Sequence, residues 1–170
     1  MSSDGAASVA ATVVRVQDAL SRRAETVAVA ESLTGGLLAA ALTDPAGSSA
    51  TFRGGLVVYA VDLKVSLAGV PAGLLAEHGP VHEAVAMALA RGAGRVCDAD
   101  WGLGTTGAAG PESHGGRPGG TVCAAVAHRD GWAAAMTTQF TGDRGSVRSA
   151  AVGWVLDALA CELDLREGRH

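Results

Sequence analysis

The chain has 170 residues, of which 48% are hydrophobic and 18% charged, a balance typical of a folded globular protein and not of a disordered one. Its formal net charge of −4 and the absence of a basic run argue against a general nucleic-acid-binding protein. No apolar stretch approaches the roughly 18 residues that a membrane span needs, and no signal-peptide layout is present. We therefore expect one cytoplasmic domain over residues 1–170, frayed at residues 1–6, with no membrane or nucleic-acid partner.

The cysteines and histidines show no spacing typical of a metal site. Cys97, Cys123 and Cys161 are scattered and odd in number, which favours a reducing compartment over a disulfide framework. The five histidines are interpreted as surface or turn residues. The sequence therefore predicts no metal and no cofactor.

Apolar periodicity predicts helices and strands that alternate along most of the chain. The first helix, over residues 7–23, is indicated by four apolar residues at helical spacing, Val9, Val13, Val16 and Leu20. Further helices are expected at residues 37–43, 61–68, 74–77 and 82–96, and a last one from residue 142. Strands are expected at residues 26–30, 52–59, 101–106, 121–127 and 132–139, the last two as a hairpin. This order predicts an α/β fold, a three-layer α/β/α sandwich with a mixed, mostly parallel sheet.

The most informative stretch is Ala-Glu-Ser-Leu-Thr-Gly-Gly at residues 30–36, between the first strand and the second helix. Such a corner presents backbone N–H groups and the positive end of a helix, which suit an anion or a developing oxyanion. Ser32 and Thr34 bring hydroxyls to it, Glu31 a carboxylate, and two glycines allow a close backbone approach. The alternative is an ordinary N-cap with glycines for packing.

Two further polar clusters follow the next two strands of the predicted parallel set. They lie at residues 59–64 and 105–110. Because the carboxyl ends of the strands line the ligand crevice of an open α/β sheet, the three clusters are expected to converge on one site. The alternatives are that Lys64 is a solvated surface charge, that Tyr59 is half-buried structure, and that Thr105 and Thr106 are ordinary strand residues.

These clusters support a nucleophilic mechanism. Ser32 would attack, and Lys64 would accept its proton if burial lowers the lysine pKa from about 10.4 toward neutrality. Tyr59 would orient the pair or shuttle a proton. Backbone N–H groups of residues 34–36 would stabilise the oxyanion.

A glycine-rich loop is predicted over residues 107–120, and loops of this length are usually functional or disordered. Glu112, Ser113 and His114 in this loop are candidates for lining a site. The alternative is a mobile lid or a plain loop.

Six blocks of the sequence, taken in order, resemble those of one known family. They are A-E-S-L-T-G-G at residues 30–36, G-S-S at 47–49, G-G at 54–55 followed by Tyr59 and Lys64, T-G-A-A-G-P at 106–111, G-T-V at 120–122, and F-T-G-D-R at 140–144 followed by Arg148. The chain resembles, over about residues 9–163, the C-terminal domain of the competence/damage-inducible protein CinA, also called the nicotinamide-nucleotide amidase (PncC) family.

The resemblance implies a three-layer α/β/α fold and metal-independent deamidation of nicotinamide mononucleotide to nicotinate mononucleotide and ammonia, in bacterial pyridine-nucleotide salvage. It also implies that Ser32 is the nucleophile and Lys64 its base, with Tyr59 beside them. Arg144 and Arg148 are the implied candidates for the phosphate. Together with the residue-based argument, contacts to the substrate are expected from Glu31, Thr34, Gly35, Gly36, Thr105, Thr106, Gly107, Gly110, Arg144 and Arg148. A homodimer or higher homo-oligomer is expected on general grounds.

One block departs from the family pattern. The family commonly has Y-S-N-E-x-K where this chain has Tyr-Ala-Val-Asp-Leu-Lys at residues 59–64, so Val61 replaces an asparagine. The alternative function is therefore a non-catalytic nucleotide-binding or regulatory module related to competence or the DNA-damage response. A third possibility is an amidase or esterase for another small substrate.

Overall fold

The computed structural model describes residues 3–168, with side-chain surroundings from residue 7 onward. The helices over this range are α1 (Ser3–Arg23), α2 (Leu37–Thr43), α3 (Val61–Ser66), α4 (Ala72–His78), α5 (Glu83–Cys97) and α6 (Arg144–Glu167). The strands are β1 (Val27–Glu31), β2 (Phe52–Val57), β3 (Trp101–Gly107), β4 (Thr121–His128) and β5 (Ala133–Gln139). Within the described residues, no helix combines the length and the apolar character that a membrane span requires.

The predicted element order agrees with this structure, and every predicted boundary except the start of α1 lies within two residues of the observed one. α1 begins at Ser3, so residues 3–6, predicted to be frayed, are helical, while residues 1 and 2 lie outside the described range. β2 ends at Val57, two residues before the predicted end, because its parallel pairing with β1 stops at the Glu31–Val57 pair. α4 is a helix of seven residues where a single turn was predicted.

The five strands form one sheet in the order β2-β1-β3-β4-β5. β1 lies in the middle of the parallel part, paired with β2 and β3, and the pairs β3–β4 and β4–β5 are antiparallel. Four strands therefore run in one direction and β4 alone runs against them. This confirms the mixed, mostly parallel sheet and places the carboxyl ends of β1, β2 and β3 at one edge.

Alternate residues of the central strands pack against helices on the two faces of the sheet. Val29 and Leu103 lie in a core cluster with residues of α1, α2 and α6. Ala28 and Ala30 face the other way, in a cluster with Leu89 of α5. Since a strand presents successive side chains to opposite faces, this alternation buries both faces and produces the three layers.

The face of β3 that packs on α5 carries glycine where a side chain would normally stand. A Cβ atom on Gly104 would clash with the Ala86 carbonyl and lie 2.6 Å from the Ala90 nitrogen, and a Cβ on Gly102 would clash with the Ala90 carbonyl. The backbone of α5 therefore rests directly on β3. This close approach positions α5 and the segment before it relative to the carboxyl end of β3.

Candidate active site

The side chain of Glu31, the last residue of β1, caps the N-terminus of α2. Its side chain is fully buried, and its carboxylate accepts hydrogen bonds from the backbone nitrogens of Gly36 (3.0 Å), Leu38 (3.1 Å) and Ala39 (2.9 Å). The residue at the N-cap position, Gly36, makes no side-chain cap bond. A buried carboxylate thus occupies the helix end that the sequence predicted to be open to an anionic ligand.

Replacing Glu31 with glutamine is expected to lower the free energy of unfolding by about 3 kcal/mol, because hydrogen bonds to a charged acceptor each contribute about 1.5–3 kcal/mol. The glutamine amide keeps one oxygen acceptor and turns an NH₂ group toward a backbone donor. Urea unfolding measures the change. Glu77→Gln, at a carboxylate that is 74% exposed, is the matched control and should leave the midpoint unchanged. Equal stability of the two variants would contradict the capping role.

Ser32 follows Glu31 directly and meets the amine of Lys64, which lies on α3. The Lys64 Nζ atom is 2.9 Å from Ser32 Oγ, 2.8 Å from the Val58 carbonyl and 3.2 Å from the Tyr59 carbonyl. The lysine side chain is only 1% exposed. Burial lowers the pKa of Lys64 from 10.5 to about 8, since desolvation disfavours the ammonium form.

The three contacts of the amine fit both of its charge states, since an ammonium has three N–H groups that can donate to Ser32 and to the two carbonyls. A neutral amine has two N–H groups, one for each carbonyl of residues 58 and 59, and one lone pair, which can accept the Ser32 hydroxyl proton. Lys64 is the only lysine in the sequence, and the other 12 of its 13 basic residues are arginines, which stay charged. Among the lysine and arginine side chains, the one able to lose its proton near neutral pH therefore lies against the serine hydroxyl.

A cavity of about 450 Å³ opens above this pair, within the usual range of small-molecule sites. Its walls come from the turns after β1, β2 and β3 and from the start of α6, and they include Ser32, Leu33, Tyr59, Ala60, Val61, residues 107–114 and Arg144. The predicted convergence of three polar clusters is therefore present in the structure. The loop residues Glu112, Ser113 and His114 are among those that line the cavity.

Tyr59 and Arg144 form a polar pair at the cavity mouth. Arg144 Nη2 donates a hydrogen bond to the Tyr59 hydroxyl at 2.7 Å, and the tyrosine side chain is 57% exposed. Tyr59 contacts Lys64 through its main-chain carbonyl, so its phenol is placed to meet a ligand and its backbone orients the lysine. Arg144 presents the guanidinium that an anionic group entering the cavity would meet.

Several residues expected to contact the substrate make their hydrogen bonds inside the protein. The buried hydroxyls of Thr34 and Thr105 bond to each other at 2.8 Å, and the Thr106 hydroxyl donates to the Pro80 carbonyl at 2.6 Å. Arg148 donates to the carbonyls of Leu33 and Thr34. Ser32, Tyr59, Gly107, Gly110 and Arg144 line the cavity, whereas the lining does not include Glu31, Thr34, Gly35, Gly36, Thr105, Thr106 and Arg148.

The predicted oxyanion donors also need revision. Of the three N–H groups proposed, that of Gly35 donates to the Ser32 carbonyl at 3.2 Å and that of Gly36 to Glu31, and only that of Thr34 has no acceptor among residues 3–168. The sequence analysis missed the carbonyls of Val58 and Tyr59, which hold the lysine. Main-chain atoms are common to all residue types, so no sequence signal marks them. Within the described range, no group of three or more His, Cys, Asp or Glu side chains is arranged to hold a metal.

Comparison with known proteins connects this site to a family. The family model of the CinA C-terminal domain matches residues 9–163. A CinA-like protein from Frankia casuarinae is 46% identical over 138 residues, which are 81% of this chain and 32% of that protein. One from Anaeromyxobacter dehalogenans is 48% identical over 147 residues, 85% of this chain and 35% of that protein. The chain therefore spans about a third of the length of these curated relatives.

Solved structures agree with this match. The competence damage-inducible protein A from Klebsiella pneumoniae superimposes with a TM-score of 0.88 at 34% identity, covering 92% of this chain and 97% of that one. A competence/damage inducible protein from Agrobacterium tumefaciens gives 0.88 at 32% identity, with 92% and 96% covered. The fold, the matched range and the identities lead to one conclusion: the chain belongs to the CinA C-terminal domain family.

Proposed function

We propose that this chain is a nicotinamide-nucleotide amidase that hydrolyses nicotinamide mononucleotide to nicotinate mononucleotide and ammonia. The observation that carries the proposal is the 2.9 Å contact between the hydroxyl of Ser32 and the buried amine of Lys64 at the base of the cavity. A site that only bound a phosphate would have no need of a desolvated lysine on a serine. Family membership and the sequence blocks around Ser32 and Lys64 support the same chemistry.

In the proposed first half-reaction, Ser32 Oγ attacks the carboxamide carbon as its proton passes to the neutral amine of Lys64. The tetrahedral intermediate then loses its nitrogen. Amide ion is a poor leaving group, so the Lys64 ammonium returns the proton to that nitrogen and ammonia departs. The result is an acyl ester on Ser32 and a neutral Lys64.

In the second half-reaction, Lys64 takes a proton from water as the water oxygen attacks the acyl carbon. The Ser32–acyl bond breaks, and the proton returns from Lys64 to Ser32 Oγ. The net change is amide plus water to carboxylic acid plus ammonia. The enzyme returns to its starting protonation state, so the same serine–lysine pair serves both steps.

The cavity mouth suits the anionic end of the proposed substrate. Nicotinamide mononucleotide carries its phosphate on the ribose, away from the carboxamide. With the carboxamide at Ser32, the phosphate would extend toward the mouth, where Arg144 and the Tyr59 hydroxyl lie. Charge-assisted hydrogen bonds from a guanidinium are well suited to a phosphate.

One observation favours the second candidate, a nucleotide-binding module without catalysis. Val61 lines the cavity and is 46% exposed, so the wall has an apolar side chain where the family motif has asparagine. If a polar contact at this point is needed to place the carboxamide on Ser32, the site would bind the nucleotide and leave its amide intact.

The two candidates are separated by assaying ammonia release and ligand binding on the same protein. We expect the wild type to release ammonia and nicotinate mononucleotide in equal amounts, and Ser32→Ala to bind the substrate by calorimetry without releasing ammonia. Ser66→Ala removes an exposed hydroxyl from α3, outside the cavity lining, and is the matched control, with activity retained. If the wild type binds the nucleotide but releases no ammonia, the proposed amidase activity is overturned and the binding module is favoured.

The pH dependence of the reaction follows from Lys64. Its pKa of about 8 implies that the neutral amine is about a tenth of the total at pH 7 and the majority above pH 8. We expect kcat/KM to rise about tenfold per pH unit up to pH 7 and to level off above pH 8. Because Lys64 is the only lysine, ¹⁵N labelling of lysine gives one ε-amino signal, and its titration checks the assignment directly. A midpoint above pH 10, as for a solvated lysine, would contradict the role of base.

A further inference from the structure

A guanidinium from α6 holds the turn that follows the nucleophile. Arg148 Nε donates to the Leu33 carbonyl at 2.9 Å, and Nη2 donates to the Thr34 carbonyl at 2.8 Å. Gly35 allows this approach, since it has a φ of +59° and a Cβ atom there would lie 3.1 Å from Arg148 Nη2. The planar guanidinium of Arg148 therefore fixes two successive carbonyls of the turn.

Fixing these carbonyls also sets the direction of the neighbouring N–H groups. The peptides of this turn are trans, and in a planar trans peptide the C=O and the next N–H point in opposite directions. The bond from Arg148 to the Leu33 carbonyl thus turns the Thr34 N–H away from the guanidinium. The bond to the Thr34 carbonyl does the same to the Gly35 N–H, which donates to the Ser32 carbonyl at 3.2 Å. That last bond in turn sets the direction of the Leu33 N–H.

Of the three N–H groups oriented in this way, only that of Gly35 has an acceptor within the described residues. Among residues 3–168, no acceptor is found for the N–H groups of Leu33 and Thr34. The N–H groups that follow are all engaged: Gly35 with Ser32, Leu37 with Thr34, and Gly36, Leu38 and Ala39 with Glu31. The first two peptides after the nucleophile therefore carry the donors available beside it.

We infer that the N–H groups of Leu33 and Thr34 form the oxyanion hole for attack by Ser32, and that Arg148 is the positioning residue that orients both. The inference rests on the proposed function for the identity of the nucleophile. Arg148 is bonded to the carbonyl of the peptide that carries the Thr34 N–H, and a cation at that carbonyl polarises the peptide and strengthens its N–H as a donor. Arg148 acts through the backbone and does not touch the substrate.

The inference predicts that Arg148→Met lowers kcat by about 10²-fold, the usual effect of one lost oxyanion donor, while KM changes less than about threefold. Arg148→Lys should recover part of kcat, because an ammonium keeps the charge and bonds a carbonyl without the fork geometry. Arg144→Met is the matched control at the cavity mouth and should raise KM instead. Thermal melts check folding. If Arg148→Met does not fold, the kcat and KM of Arg148→Lys provide the test.

A thioamide substrate separates an oxyanion defect from a general structural loss. Sulfur accepts hydrogen bonds poorly, so the wild type should process thionicotinamide mononucleotide far more slowly than the oxygen substrate. In Arg148→Met the donors are already misplaced, and the ratio of the two rates should fall by about tenfold or more. If the ratio of the oxygen to the sulfur rate is unchanged in a folded, active Arg148→Met protein, the inference about Arg148 is overturned. The proposed amidase function is not affected by that result.

If the wild type releases no ammonia from the nucleotide, the proposed function fails and the inference is judged on another reaction. Acetylation of Ser32 by p-nitrophenyl acetate passes through the same kind of oxyanion and needs no nucleotide. Arg148→Met should slow this acetylation by about 10²-fold relative to the wild type. Equal rates in the two proteins would overturn the inference on its own.

Discussion

Replacing Lys64 with methionine is expected to lower ammonia release by about 10⁴-fold, because general-base catalysis by a positioned side chain contributes up to about that factor. Methionine has similar length and removes only the amine that contacts Ser32 at 2.9 Å. Substrate binding by calorimetry should change less than about threefold, since the amine lies beneath the cavity and is 1% exposed. The measurement is single-turnover ammonia release beside that calorimetry.

Two further variants sharpen this prediction. Lys64→Arg should be as inactive as Lys64→Met, because a guanidinium cannot lose its proton near neutral pH. The double variant with Ser32→Ala should be no slower than either single variant, since the two residues act as one unit. Substantial activity in Lys64→Arg would show that positive charge, and not a neutral amine, is what the site needs from this position.

The second large effect is on stability. Gly104→Ala is expected to lower the free energy of unfolding by about 3 kcal/mol or more, because the added methyl would clash with the Ala86 carbonyl and crowd the Ala90 nitrogen at 2.6 Å. Neither contact is the end of a flexible side chain, so the α5 backbone has to move. At about 2–4 °C per kcal/mol, the melting temperature should fall by roughly 6–12 °C.

Gly73→Ala is the matched control for this substitution. Gly73 lies within α4, and a Cβ atom on it would meet nothing within 4 Å. In an open helical position alanine is favoured over glycine, so the control should melt at the same temperature as the wild type or slightly above it. A Gly104→Ala protein that melts with the control would show that α5 is not held against β3 as closely as the structure indicates.

The positions of the functional groups follow from how the sheet is built. Ser32 and Tyr59 come after neighbouring parallel strands, so their turns meet at one edge of the sheet. Lys64 lies five residues after Tyr59 on a short helix, which returns its amine under Ser32. α6 brings Arg144 to the cavity mouth and Arg148 to the turn after Ser32, four residues apart on one helix.

From the sequence alone, the architecture and the serine–lysine hypothesis could be obtained. Apolar periodicity is a local property, so the order of helices and strands was predictable from it. The convergence of the turns after β1, β2 and β3 followed from a general rule for open α/β sheets. The blocks around Ser32, Tyr59 and Lys64 are each contiguous in the chain, so they could be recognised without knowing any interatomic distance.

Tertiary structure alone decided what each polar residue in those blocks does. Glu31 and Arg148 have residue types that suit a ligand site, yet the first caps α2 and the second holds the carbonyls of Leu33 and Thr34. Their partners are main-chain atoms, which have no sequence signature. The two carbonyls that Arg148 bonds lie 115 and 114 residues before it in the sequence. The low pKa of Lys64 likewise arises from burial. The sequence determined which groups were available for catalysis, and packing determined which of them reach the cavity, because burial and long-range hydrogen bonds exist only once the layers have assembled.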